Sequence, residues 1–90
     1  MAERFTAKQG QYLAFIDNSS MMFGQPPAEA DLQHFFGTSP PTIHQMLVTL
    51  AEKELIRRTP GKAWSILLLV EPEEIPGLDH SPGQWLTNSA

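Results

Sequence analysis

Three stretches of the chain carry apolar residues at helical spacing, and a fourth is apolar without interruption. Tyr12, Leu13 and Ile16 make the first stripe, Leu32, Phe35 and Phe36 the second, and Ile43, Met46, Leu47 and Leu50 the third. The first follows Thr6-Ala7-Lys8-Gln9, a capping-box pattern with Phe5 in the staple position, and predicts a helix ending near Asn18 or Ser19. Gly24-Gln25-Pro26-Pro27 reads as a turn, and the second helix is predicted over residues 28–36. Ala28 is a poor cap for it, and Gly37 is a natural residue to follow its last turn. Only Gly37-Thr38-Ser39 precedes a third helix, predicted over residues 40–53 with Ser39 as cap and Pro40 at its first position. Leu55-Ile56-Arg57-Arg58-Thr59 then predicts a short strand, Pro60-Gly61 a turn, and residues 64–70 a second strand. The prolines at 72, 76 and 82 argue for an extended tail. The pattern predicts a winged helix-turn-helix over residues 1–70, an α+β fold that is mainly α, followed by a tail over residues 71–90.

The third helix has an unusual outer face. At about 100° per residue, its apolar stripe leaves Pro41, Gln45, Val48 and Thr49 on the opposite side, with Thr42 and His44 flanking them. Solvated helix faces usually carry Lys, Glu and Arg. This one carries an amide, an imidazole, hydroxyls and methyls, the groups that read base edges in a major groove. An ordinary amphipathic helix with a polar outside fits the same residues, so the remainder of the chain has to weigh in.

Ninety residues make one small domain, too small for a core plus a large catalytic cleft. The hydrophobic share of 41% suits a folded unit. With no cysteine, disulfides and thiolate metal sites are excluded, and a cytoplasmic location fits. No leader pattern or membrane span is recognisable. The net charge of −4 belongs to the tail, because residues 71–90 contain Glu71, Glu73, Glu74 and Asp79 and no base. The body holds all six bases against six acids and is neutral, a thinner cationic footprint than nucleic-acid binders usually carry. Nothing points to an enzyme: there is no nucleophile elbow and no phosphate loop. His44 has no ligand spacing with His34 or His80, so neither a metal nor another cofactor is expected, and no small-molecule effector is evident.

Phe5-Thr6-Ala7-Lys8-Gln9, Pro26-Pro27-Ala28-Glu29-Ala30, Phe36-Gly37, Ser39-Pro40, Leu47, Leu50-Ala51, Leu55-Ile56 and the Pro-Gly wing together resemble the N-terminal DNA-binding domain of LexA repressors. The likeness is greater still to short stand-alone LexA-like or MarR-labelled bacterial regulators with Pro-Pro-Thr-Ile-His-Gln-Met between the helices. It covers about residues 5–78, with Glu73-Glu74-Ile75-Pro76-Gly77-Leu78 looking like the start of the LexA linker. The resemblance implies a third helix inserted into the major groove of operator DNA. It places Pro41, Thr42, His44 and Gln45 at base-reading positions. The family's Ser/Lys autoproteolytic domain has no counterpart in these residues, so self-cleavage is not carried over. Three positions depart from the family pattern: Glu54 stands where Gly commonly ends the third helix, Trp64 where Arg often follows the wing turn, and Leu67 where the wing is often polar. The first implies a strained turn at a cost of about 1 kcal/mol.

These readings predict a sequence-specific DNA-binding transcriptional regulator, a repressor, acting on double-stranded DNA as a homodimer because one winged helix spans few base pairs. Gln45 would pair with adenine, the Thr42 methyl would meet a thymine methyl, and His44 would donate to guanine. Thr38, Ser39, Arg57, Arg58 and Lys62 are the candidates for backbone phosphates. Trp64 and Leu67 are candidates for a dimer or partner contact. Trp85 in the tail is either disordered or an anchor that docks on the body. The rival is a winged helix kept for protein interaction, with weak or no DNA binding.

Overall fold

A computed structural model describes residues 4–59 and 65–78. Helices α1 (Ala7–Phe23), α2 (Glu29–Phe36) and α3 (Pro40–Glu52) are followed by strands β1 (Ile56–Arg57) and β2 (Leu67–Leu68), and then by a single 3-10 turn at Pro72–Glu74. The strands pair antiparallel, Ile56 opposite Leu68 and Arg57 opposite Leu67. Three helices and a two-stranded sheet in this order form the winged helix-turn-helix that the residue pattern predicts. The turn at Pro60-Gly61 lies outside the described residues, but the turn end of the hairpin is tied by the Thr59 amide donating to Ser65 Oγ at 3.1 Å and by Ser65 Oγ donating to the Thr59 carbonyl at 3.2 Å.

Local chemistry sets most boundaries. The capping box of α1 forms in both directions: Gln9 N donates to Thr6 Oγ1 at 3.1 Å, and Thr6 N donates to Gln9 Oε1 at 3.0 Å. The helix runs one turn past the predicted end at Asn18 or Ser19. Asn18 Nδ2 and Ser20 Oγ donate back to the carbonyls of Ala14 and Ile16, so these polar side chains do not break the helix. Gly24, at φ 74°, supplies the stop instead. At the start of α2, Ala28 has no capping side chain, and the Asp31 carboxylate accepts from the Ala28 amide at 3.0 Å. Gly37, at φ 65°, closes that helix.

The end of α3 is a Schellman motif. Leu55 N donates to the Leu50 carbonyl and Glu54 N to the Ala51 carbonyl, both at 3.0 Å. Glu54 itself sits at φ 61°, the one non-glycine residue among those described with positive φ. The turn that glycine usually makes is kept here with a glutamate. It holds because Leu50 and Leu55, on either side of it, are fully buried.

The core collects one stripe from each helix and the inner side of the sheet: Tyr12, Leu13 and Ile16, then Leu32 and Phe36, then Ile43, Leu47 and Leu50, with Leu55, Ile56, Ile66 and Val70. Each such side chain contributes roughly 1.5–3 kcal/mol through burial. The Tyr12 and Phe36 rings stack with centroids 4.1 Å apart, and Phe35 meets Phe36 edge-on at 4.9 Å. Phe35 is only partly buried, less inward than its stripe predicts.

The predicted extended tail is corrected for residues 71–78, which fold back on α1. Ile75 packs against the core, Arg4 Nη1 lies 3.1 Å from Glu74 Oε1, and Gln11 Nε2 donates to the Gly77 carbonyl at 2.9 Å. Gly10 makes room for this return: a Cβ there would sit 3.0 Å from Pro76 Cγ and 3.1 Å from Phe5 Cε1.

Candidate nucleic-acid interface

Helix α3 is built as two different faces. Ile43, Leu47 and Leu50 are fully buried against the other helices, which fixes the rotation of α3 about its axis. Pro41, Thr42, His44 and Gln45 are then all exposed, while Val48 and Thr49 are half-buried. The four residues expected to read bases therefore share one accessible surface at the N-terminal half of the helix.

The start of α3 is held by its own side chains. Ser39 Oγ accepts from Thr42 N at 3.4 Å and lies 2.9 Å from Thr42 Oγ1. Prolines at 40 and 41 have no N–H, and the Thr42 amide is taken by Ser39. The amides that make many helix N-termini into phosphate sites are thus largely missing here.

Thr38 does not present its side chain as expected of a phosphate contact. Its Oγ1 is buried beside Tyr12, and among the described residues neither that atom nor Tyr12 Oη has a hydrogen-bond partner of good geometry. Burial pushes the Tyr12 hydroxyl above its usual pKa, and the neighbouring Thr38 hydroxyl offsets part of that rise.

The cationic candidates separate. Arg57, on β1 beside α3, is exposed. Arg58 is not the free phosphate donor that its place on the strand suggests: its Nη2 lies 2.6 Å from Glu29 Oε2, and its side chain is only 11% exposed. Glu29 at the first turn of α2 thereby clamps the strand to the helix-turn-helix. Lys53, at the C-terminal end of α3, donates from Nζ to Gln9 Oε1 at 2.7 Å and joins α3 to the start of α1. Neither Glu29 nor Lys53 stood out in the sequence, because their partners are far along the chain. Lys62 and Trp64 lie outside the described residues. Leu67 is 56% exposed, and Leu69, two residues on, is also exposed. Among the described residues no group of His, Asp or Glu could hold a metal ion, and no helix is long and apolar enough to cross a membrane.

Comparison with known proteins bears on this surface. The model of the LexA DNA binding domain matches residues 2–65. The LexA repressor of Magnetococcus marinus is 35% identical over 75 residues, covering 82% of this chain and 32% of that protein. The LexA repressor of Tolumonas auensis is 36% identical over 78 residues, covering 84% and 38%. That of Syntrophomonas wolfei is 41% identical over 63 residues, covering 69% and 31%. The chain thus spans about a third of the length of the curated relatives it matches.

Proposed function

Because this chain belongs to the LexA DNA-binding domain family, we propose that it is a sequence-specific transcriptional repressor that reads operator DNA with the outer face of α3. The observation that carries this reading is the exposure of Pro41, Thr42, His44 and Gln45 together on a helix whose rotation is fixed by a fully buried stripe. Gln45 supplies a bidentate amide for adenine, Thr42 a methyl for thymine, and His44 a donor for guanine. The Ser39 hydroxyl and Arg57 hold the backbone, and Lys62 extends the same role along the wing. Two copies bind two half-sites, since a single winged helix covers few base pairs.

Among the described residues Arg4 pairs with Glu74 and Arg58 with Glu29, which thins the free cationic charge and lowers non-specific affinity. The same pairing, with Leu67 exposed on the wing, favours the second reading, a winged helix used for protein contact. Selection from a randomised duplex pool, repeated across salt, separates the two. A motif enriched by the native chain and lost in Gln45→Ala and Thr42→Ala is the expected result. Absence of retention even near ~50 mM salt overturns the repressor reading.

A further inference from the structure

An apolar groove of about 600 Å³ opens at the C-terminal end of α1, between that helix and α2. Phe15, Met22, Phe23 and Phe35 form its walls. Met22 and Phe23, with their neighbour Met21, are large apolar residues left 74%, 71% and 78% exposed. A cluster of this kind on a small domain marks a contact surface. We propose that it is the docking site of the chain's own C-terminal segment, which inserts the Trp85 indole and Leu86.

The path of the tail argues for this occupant. Glu74 is held by Arg4, Pro76 lies against Gly10, the Gly77 carbonyl is bound by Gln11, and Leu78 already lines the groove with Phe15 and Met22. The chain therefore climbs α1 from its N-terminal turn toward the groove and reaches the groove at the last of these residues. Between Leu78 and Ala90 the large apolar side chains are Trp85 and Leu86. The seven residues from Leu78 to Trp85 span at most about 25 Å, and Pro82-Gly83 is turn chemistry within that tether. So short a tether raises the local concentration of the indole to the millimolar range, above what a second copy supplies in dilute solution. A buried indole N–H needs an acceptor. Asp31 lines the groove with a carboxylate whose Oδ2 accepts from the Ala28 amide and whose second oxygen has capacity for a further bond. The inference does not depend on DNA binding.

The test uses the full chain. In isotopically labelled wild-type protein, nuclear Overhauser contacts are expected between the Trp85 indole and the Met22 methyl group. In a Trp64→Phe background, acrylamide should quench Trp85 several-fold less than it quenches the same residue after Met22→Glu or Phe23→Glu. Both substitutions alter exposed side chains and leave the core intact. Protection should not change on dilution. Free quenching of Trp85 in the unsubstituted groove, or absence of the contacts in wild-type protein, overturns the proposal. Protection that disappears on dilution assigns the groove to a second copy, and protection that survives both substitutions places the indole elsewhere. Either result also overturns it.

Discussion

Leu47 and Gln45 stand two residues apart on α3 and belong to different problems. Leu47 is fully buried and helps decide how the helix sits; Gln45 is exposed. The difference shows how one short helix carries a fold and a proposed reading surface without conflict, because the helical period assigns them to opposite sides. The sharpest way to break the comparison is to truncate each residue. Leu47→Ala should lower unfolding stability by about 2–5 kcal/mol in urea titrations, and with it all DNA binding. Gln45→Ala should leave stability within about 0.5 kcal/mol while weakening the preferred duplex by about 1–3 kcal/mol relative to a randomised one. If Gln45→Ala instead weakens all duplexes equally, the outer face is not reading bases.

Ser39 lies where the two problems meet. Its hydroxyl caps α3 and also holds the Thr42 hydroxyl at 2.9 Å. Ser39→Ala should therefore cost about 1 kcal/mol of stability and, on the proposed base contact of Thr42, also loosen recognition there. Ser39→Asp should restore the cap in unfolding experiments while repelling the DNA phosphate proposed to meet Ser39. A variant that recovers stability but not DNA binding would separate the two roles of this position.

What could be read from the residues alone was whatever is local or periodic. The α1 capping box, the buried stripe of α3, the Gly37 stop and the strain expected at Glu54 all follow from spacing or from one residue's backbone preference. The readings that changed depend on contacts far apart in sequence. Arg58 looked like a phosphate donor because nothing in residues 55–59 competes for it; the competitor is Glu29, on another element. Thr38 looked available because it precedes a cap, yet its hydroxyl is turned inward beside Tyr12. The proline-containing stretch after Val70 has no periodicity, so neither Ile75 on the core nor Pro76 against Gly10 left a trace in the pattern. The extra turn of α1 was hidden for another reason. Met21, Met22 and Phe23 are apolar but exposed, so the last turn breaks the amphipathic rule by which helices are recognised.

Gly37 and Glu54 offer the finest version of the comparison, since they end adjacent helices at φ 65° and 61° with opposite consequences. Glycine has no Cβ and takes this conformation freely; a glutamate takes it only because the Leu50–Leu55 contact holds the Schellman turn closed. Glu54→Gly should raise stability by about 1 kcal/mol in urea unfolding. Glu54→Gln keeps the Cβ and removes the charge, so it should leave stability nearly unchanged. The pair also separates backbone from electrostatics in DNA binding. Both variants remove one negative charge near the C-terminal end of α3, so both should bind slightly better at low salt and by the same amount. If only the glycine variant gains affinity, the strain at Glu54 reaches the reading face through the helix. If both variants gain the same affinity while only the glycine variant gains stability, the strain at Glu54 stays local and does not reach the outer face of α3.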